Sequence, residues 1–559
     1  MTGAERLCRA LETLGVEVVF GLPGTQNVAL FEALRKSRLR TIVATHELSA
    51  SFMANGYARA SGRPGVLLTI PGPGFTYSLT GLAEALLDSV PVLSIVGGPA
   101  RAPGRRFQLQ ALDQRAVLAP IVKRIFDLES AEGIEATLAE AHAVSRAGEP
   151  GPVVVQISQK LLSEDAPASP SAPSGTQPAK AQSVDEIVLR LSEARRVLLY
   201  VGQGANDAAP ELLQLMETLK APLVTTTSGR GVVPESHPWV LSFDRRSVQV
   251  LNELVESASL VLALGCKFSH NGAHGFRLRL APDRLIHVDA SEAVLGANYD
   301  ASLTLAADVP SVIRALLDRC PPPDKSAGSG FSEEEVGEWR RRVAEASPRG
   351  TEATIRGARP ASIEEFFAAL RRAMPAESCL VLDSGLHQMM ARRYFPVLRP
   401  RGLILPTDLQ AMGFALPAAI GARLAGEDRT VVALLGDGGF AMSGLELLTA
   451  VRERIPLTVI VFNDGFYGAI SRQQLGTYGR LHGTALKNPD FRRFAESVGA
   501  RYVRLAGDVE TILSRAIGAG GVSLVEVVLR ESVGVRLQRL RGALASRLES
   551  RLRLVHPSS

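Results

Sequence analysis

The chain has 559 residues, 46% of them hydrophobic and 21% charged, with a formal net charge of +5. At about 100–200 residues per domain, that length predicts three or four domains. The balance excludes a mostly disordered chain, a collagen and a disulfide scaffold.

No apolar run is long enough to predict a spanning helix, so no membrane partner is expected. Glu5, Arg6, Arg9 and Glu12 stand where a signal peptide needs an apolar stretch. Cys8, Cys266, Cys320 and Cys379 are far apart and lack zinc spacing, which fits a reducing, cytoplasmic compartment. The basic residues mostly lie beside acids on predicted helices, as at Arg371–Arg372 and Arg492–Arg493, and the one basic block is Arg536 to Arg553. A nucleic-acid partner would call for a basic stripe with aromatics, so none is expected.

Residues 163–183 form a Pro/Ala/Ser run without apolar period, and 320–354 open on CPPPDKSAGSG. Both read as linkers. They leave parts 1–162, 184–319 and 355–535, and a tail, 536–559. In chain order, the first part carries β-rich runs at 16–20, 41–44, 65–70, 91–97 and 152–157. The second has them at 196–202, 222–227, 260–265 and 285–290. The third has them at 379–383, 430–438, 456–464 and 522–529. These runs are apolar on both faces and alternate with helical patterns. That predicts an α/β protein of three consecutive doubly wound parallel-sheet domains, with ligands beyond the strands' carboxyl ends.

In the third part, the strand ending at Gly436-Asp437-Gly438-Gly439 leads to a helix near 443–452. The next strand ends at Asn463-Asp464-Gly465-Phe466-Tyr467-Gly468. One crossover thus places Asp437 and Asp464 at neighbouring strand ends. Two carboxylates there suit a hard cation such as magnesium, which shares its oxygen ligands with a phosphate. The glycines leave main-chain N–H groups free to face that phosphate.

This pattern resembles the motif of the thiamine diphosphate-dependent enzymes, specifically the acetolactate synthase-like and 2-oxo acid decarboxylase group. The resemblance spans roughly residues 4–530. It implies a pyrimidine-binding domain, a central Rossmann-like domain and a diphosphate-binding domain. It also implies thiamine diphosphate and Mg2+ as cofactors, with Asp437, Asp464 and the Phe466 carbonyl as metal ligands. Most members have Asn at position 464; Asp keeps an oxygen ligand and adds a charge. Gly436, Gly438, Gly439, Tyr467 and Gly468 complete the diphosphate loops. In LQAMGFALPAAIGA (409–422), Met412 matches the side chain that wedges between the cofactor rings. The Gln410 carbonyl matches the acceptor for the 4′-amino group. Gly385, Leu386 and His387 of DSGLHQM match the segment touching the diphosphate.

The first part supplies the pyrimidine end. ATHELSASFMANGYARA (44–60) is similar to the segment carrying the family's catalytic glutamate, here Glu47. That carboxyl bonds N1′ and favours the imino tautomer, whose nitrogen removes the C2 proton. FGLPGTQ (20–26) resembles the first strand-end loop, with Gly24 and Thr25 beside the reacting carbon. FQLQALD (107–113) resembles the loop over the substrate, giving Gln110, with Gln108 as its rival.

The resemblance implies decarboxylation of a 2-oxo acid and carboligation of the enamine to an acceptor, as in the acetolactate synthases. The partners are then small molecules. The active unit is a homodimer or homotetramer with active sites at the subunit interface. The alternative is a non-ligating decarboxylase of a larger or polar 2-oxo acid, of the benzoylformate or guanidino-oxo-acid type. A minor one is an inactive cofactor-binding subunit. Gln473 stands where biosynthetic synthases have a Trp, which argues against the branched-chain role. Gln26, Gln110, Arg472 and Gln473 make the expected pocket polar. The family's FAD-binding segment is replaced by Lys267-Phe268-Ser269-His270-Asn271, so FAD is possible but not favoured.

Overall fold

The computed structural model describes residues 1–98, 106–165, 182–319, 330–346, 353–426 and 429–531. The predicted tail lies outside them. Two compact units emerge. The first takes its described residues from Met1–Pro348, Pro396–Gln410 and Leu424–Gly426; the second takes its own from Arg349–Phe395, Ala411–Arg423 and Glu427–Ser559.

The first unit holds two sheets. One contains β1 (Val18–Gly21), β2 (Arg40–Val43), β3 (Gly65–Thr69), β4 (Val92–Gly98), β5 (Arg124–Leu128) and β6 (Pro152–Ser158), in the order β2-β1-β3-β4-β6-β5. Every pairing is parallel. The order reverses between β1 and β3. A crevice therefore opens beyond their carboxyl ends, flanked by the loop after β1 and the turn after β3. The central strands are buried along nearly their whole length, as their unbroken apolar runs require.

The other sheet contains β7 (Val197–Val201), β8 (Leu223–Thr225), β9 (Val240–Leu241), β10 (Leu260–Leu264), β11 (Leu285–Asp289) and β12 (Leu303–Ala306), in the order β12-β11-β10-β7-β8-β9. It too is parallel.

The second unit is built on β13 (Ala353–Ile355), β14 (Ala358–Arg359), β15 (Cys379–Leu382), β17 (Val431–Gly436), β18 (Leu457–Asn463), β19 (Arg501–Arg504), β20 (Gly507–Asp508) and β21 (Val522–Glu531). β16 (Leu403–Ile404) belongs to the first unit. The main sheet runs β13-β21-β18-β17-β15, with β19 also on β21, while β14 pairs with β20. β17 and β18 are parallel neighbours, so their ends lie side by side.

Three features differ from the sequence expectation. β13 is antiparallel to β21, so this sheet is mixed at its edge. The helix expected near 443–452 is two helices, Asp437–Ser443 and Glu446–Arg452, and the first begins on Asp437 itself. The segment 320–354 is not linker throughout: Glu333–Ala346 is a helix, with Phe331 and Val336 buried in the second sheet's core and Trp339 packed against it. Its dense Glu/Arg content hides a narrow apolar stripe. Not expected were β5, β9, β12, β13, β14, β16, β19 and β20, none longer than five residues, and β5 and β19 mix exposed and less exposed positions instead of forming apolar runs.

Within the first unit, residues 396–410 are tied down by Asp88. Its carboxylate accepts from Arg59 Nη2 at 2.6 Å, Thr407 N at 2.9 Å and Asp408 N at 3.0 Å, and also from Thr407 Oγ1. Burial pushes the Asp88 carboxyl upward. Arg59 and the hydrogen bonds from Glu84 and Thr407 outweigh it, and the group sits below its ordinary pKa. Its contribution is thus present above the unfolded carboxylate pKa, about 3.9, and is lost as pH falls through the lower folded value. Asp88→Ala removes the nearest carboxylate from a buried guanidinium, leaving it Glu84 at 3.8 Å, and should cost about 3–5 kcal/mol. Urea unfolding checks this; a midpoint equal to that of the wild type would show that the pair does not tie the segment.

Candidate active site

In the first unit, the chemistry-bearing residues gather around the turn that follows β3. Glu47 is the first residue of the helix Glu47–Ser61, shortly after β2. His46 caps that helix, its Nδ1 accepting from Leu48 N at 3.1 Å. Glu47 is therefore fixed at a helix N-terminus, where a carboxylate is favoured.

Opposite it lies Gly74, in the helix Pro73–Leu87. A Cβ there would stand 3.1 Å from Glu47 Oε1. Gly72 has φ +65°, and a Cβ on it would meet the Gln110 side chain at 2.8 Å. Gly24 packs on Ile70: its Cβ would lie 2.6 Å from Ile70 Cγ2. The turn Ile70–Gly74 thus touches Gly24, Gln110 and Glu47 in sequence, and only glycine fits two of its positions. Thr25 follows Gly24 on an exposed loop and is not drawn into this contact. Gln110, rather than its rival Gln108, meets the turn. Its Oε1 accepts from Gln26 Nε2 at 2.6 Å.

Gln410, on the first unit's 396–410 segment, has φ +62°. Its side-chain Nε2 donates to Pro406 O and Thr407 O at 2.8 and 2.7 Å. The side chain is folded back onto its own segment.

In the second unit the centre is a residue that the sequence reading passed over. Asp383 follows β15 and is fully buried. One oxygen accepts from Gly413 N at 3.0 Å and Ser384 N at 2.9 Å; the other accepts from Ala415 N at 2.9 Å. A Cβ on Gly439 would approach Asp383 Oδ1 to 2.9 Å. Burial pushes this carboxyl up to about 6 against the pull of those amides. Asp383 therefore joins the DSG turn, the Met412 segment and the GDGG loop. Met412 is held just before these bonded positions, and its Cε would be 3.4 Å from a Cβ on Gly438, with Tyr467 closer still at 2.7 Å.

His387 is buried beneath Gly385 and Gly436, whose added Cβ atoms would lie 3.0 and 3.2 Å from its Nδ1. Burial depresses its pKa to about 4, although the Asp383 carbonyl favours the protonated ring. Its Nε2 has no protein partner. Leu386 packs near Gly468, whose Cβ would meet Leu386 Cδ1 at 2.8 Å and Asp464 Oδ2 at 3.1 Å.

Asp437 Oδ2 accepts from Gly465 N and from Asn488 Nδ2, each at 2.7 Å, and Oδ1 accepts from Gly438 N at 3.0 Å. Burial nevertheless keeps its pKa raised. Asp464 Oδ1 accepts from Phe466 N at 3.0 Å. The loop 464–467 is pinned where Tyr467 N donates to Thr484 O and Leu486 N donates to Gly465 O. Asn488 was also missed. It donates to Asn463 Oδ1 at 2.9 Å as well, but it lies 25 residues downstream in sequence and carries no local signal.

These groups fit thiamine diphosphate and magnesium. Asp437 and Asp464 offer oxygen donors at adjoining strand ends. The glycines at 436, 438, 439 and 468 are closely approached by neighbours, and His387 Nε2 is an unpartnered polar atom beside them. Among the described residues, no group of three or more His, Cys, Asp or Glu gathers into a metal cluster. Two carboxylates and a main-chain carbonyl need no such cluster.

A cavity of about 1620 Å3 lies elsewhere in the first unit, lined in part by Gln203, Gly204, Gly265, Lys267 and Asp289. Four of the five Arg and Lys side chains on its wall hold carboxylates: Arg59 pairs with Asp88, Lys267 with Glu149, Arg401 with Asp207 and Arg319 with Asp185. An anionic diphosphate there would compete with each of those carboxylates. Arg472 and Gln473 lie on the helix Gly468–Tyr478 of the second unit, with Gln473 exposed.

Three family models match the chain. "Thiamine pyrophosphate enzyme, N-terminal TPP binding domain" covers residues 1–117, the "central domain" covers 184–316 and the "C-terminal TPP binding domain" covers 383–527. The chain is 32% identical over 537 residues to "Probable 2-ketoarginine decarboxylase AruI" of Pseudomonas aeruginosa, covering 94% of each chain. It is 29% identical to "Probable acetolactate synthase large subunit" of Methanocaldococcus jannaschii, over 95% of this chain and 92% of that one. It is also 29% identical to "Acetolactate synthase isozyme 1 large subunit" of Escherichia coli, over 94% and 93%.

Asp383→Ala should leave buried main-chain N–H groups without their acceptor, at about 1–3 kcal/mol for each group. Thiamine diphosphate affinity should fall by at least tenfold, measured by fluorescence titration. Unchanged affinity would show that Asp383 does not organise the Met412 segment.

Proposed function

The chain belongs to the thiamine diphosphate-dependent enzymes of the acetolactate synthase type, and we propose that it decarboxylates a 2-oxo acid and ligates the product to a second carbonyl compound. The observation that carries this reading is the convergence on Asp383 of the Met412 segment and the GDGG loop, next to Asp437 and His387. When bound, thiamine diphosphate supplies the electron sink for decarboxylation.

In this reading, Glu47 bonds the pyrimidine ring at N1′ and moves the proton exchanged there, from a position fixed by the helix start and the Gly74 contact. The Gln410 carbonyl accepts from the 4′-amino group. Met412 would pack between the two rings. Asp437, Asp464 and the Phe466 carbonyl hold Mg2+. The N–H groups of Gly438 and Gly439, with Leu386, His387 and Gly468, enclose the diphosphate. Gly24, Thr25 and Gln110 border the substrate. FAD forms no part of the reading, since four of the five cavity cations already hold carboxylates.

The proposed active unit is at least a dimer, a cytoplasmic one. Support comes from exposed apolar side chains flanking both half-sites. Tyr77 and Leu87 lie on the helix Pro73–Leu87, and Met442, Leu445 and Leu448 lie on and between the helices following β17. A partner covering them would also exclude water from Glu47, which is half-exposed in the single chain. Among the described residues, Cys8, Cys266 and Cys379 are buried and form no disulfide, which fits the proposed reducing compartment.

A second reading, decarboxylation without ligation, is favoured by the relative named as a 2-ketoarginine decarboxylase and by the polar Gln26–Gln110 pair. Product analysis by NMR decides between the two, using labelled pyruvate and then a panel of larger 2-oxo acids. Acetolactate establishes ligation; an aldehyde alone establishes simple decarboxylation.

Glu47→Gln should keep cofactor affinity but slow turnover by about 10²–10⁴-fold, the usual scale for a proton-transfer group. Unchanged turnover would remove Glu47 from the relay. Asp437→Ala should abolish magnesium-dependent cofactor binding by titration calorimetry; normal binding would refute the metal assignment.

A further inference from the structure

Gln26 is the buried partner of Gln110 and lies in the loop after β1, at the reversal point of the first sheet. It is 8% exposed. Its Nε2 donates to Gln110 Oε1 at 2.6 Å. A Cβ on Gly97 would stand 3.7 Å from Gln26 Cβ and 2.7 Å from Pro71 Cδ, so Gln26 is wedged beside the turn that carries Gly72 and Gly74. Gln110 is constrained independently. Its φ is +56°, its carbonyl accepts from Leu112 N at 2.8 Å, and its side chain fills the space that Gly72 leaves. A non-glycine residue held in the left-handed region carries strain that its surroundings must offset.

A primary amide has two faces, one accepting and one donating. Free in solution, the Gln110 amide would turn either face toward a ligand. The contact with Gln26 engages one face of the Gln110 amide and leaves the other for a ligand; in the structure the engaged face is the oxygen, which accepts from Gln26 Nε2. Gln26 Oε1 is itself buried without a partner, so Gln26 is not solvated and its role is toward Gln110.

We infer that Gln26 is a positioning residue that fixes the Gln110 amide with its NH2 group toward the substrate, which must therefore present an oxygen acceptor there: the carboxylate or carbonyl oxygen of the 2-oxo acid. This rests on the reading that Gln110 borders the donor substrate beside Glu47. It adds the polarity of that contact and the residue that sets it.

The test is a set of holoenzyme variants assayed for kcat/KM with pyruvate or the best donor of a 2-oxo acid panel, with thiamine diphosphate Kd measured in parallel. Gln26→Leu removes the donor at similar volume. It should lower kcat/KM about tenfold, the scale of one lost hydrogen bond, while the cofactor Kd stays within about twofold. In a Gln110→Ala background it should add nothing, since the two side chains act as one unit. Gln110→Glu keeps an oxygen for Gln26 but turns an oxygen to the substrate, and should fall below Gln110→Ala. The inference is overturned if Gln26→Leu is fully active while Gln110→Ala is impaired. Losses that multiply in the double variant, or Gln110→Glu outperforming Gln110→Ala, also overturn it. In those cases the assignment of Gln110 stands. Full activity of Gln110→Ala overturns both, and leaves the cofactor assignments to Glu47 and Asp437 untouched.

Discussion

A carboxylate with no exposure to water, Asp383, organises the second unit. An isolated buried charge is costly, and burial raises its pKa. Main-chain amides of Ser384, Gly413 and Ala415 supply the compensation. Those amides belong to segments far apart in sequence, and the GDGG loop packs on the same carboxylate through Gly439. Placing one acceptor at the end of β15 therefore dictates the path of three loops. The position of Met412, the start of the helix at Asp437 and the burial of His387 all follow from it. The arrangement is intolerant of substitution at Gly439, where any side chain would strike the carboxylate.

Around the turn Ile70–Gly74, the first unit solves a comparable problem without a fully buried carboxylate. Its loops are held by close approach around the turn Ile70–Gly74. Gly72 and Gly74 yield their side-chain volume to Gln110 and Glu47. The reversal of strand order between β1 and β3 is what leaves a crevice in which a turn can meet the loop after β1. Topology supplies the opening, and glycine lets functional side chains stand against the main chain.

Much of this was legible in the sequence, for identifiable reasons. Strands buried on both faces read as continuous apolar runs, so β3, β4, β6, β7, β10, β17, β18 and β21 announced themselves. Edge strands such as β5 and β19, short and partly exposed, did not. The Glu333–Ala346 helix was obscured because its apolar positions are few among Glu and Arg. Among the candidate site residues, Asp437 could be singled out by its place after a strand, and Glu47 by the motif that its segment resembles. Asp383 stood in a motif, yet its importance arises from main-chain groups some 30 residues away, which no spacing reveals. Asn488 reaches Asp437 from a distant loop, and the hydrogen bond between Gln26 and Gln110 spans 84 positions.

The electrostatics of the metal loop give the substitution at position 464 a physical meaning. The groups that hydrogen-bond Asp437 are neutral amides: Gly438 N, Gly465 N and the Asn488 side chain. They stabilise the ionised carboxylate without cancelling its charge, and burial still raises its pKa. Asp464, half-buried on the adjoining strand end, adds a second acid where most relatives by resemblance carry a neutral amide. A diphosphate brought to this loop meets two carboxylates of its own sign. Only a cation between them turns repulsion into attraction, and a dication satisfies both sides at once. With Asp437 and Asp464 as the proposed ligands, the extra charge would make the loop depend more strongly on the metal and weaken its hold on a metal-free diphosphate. In the proposed site, metal and cofactor would thus bind as one coupled event, with each side supplying the charge that the other needs.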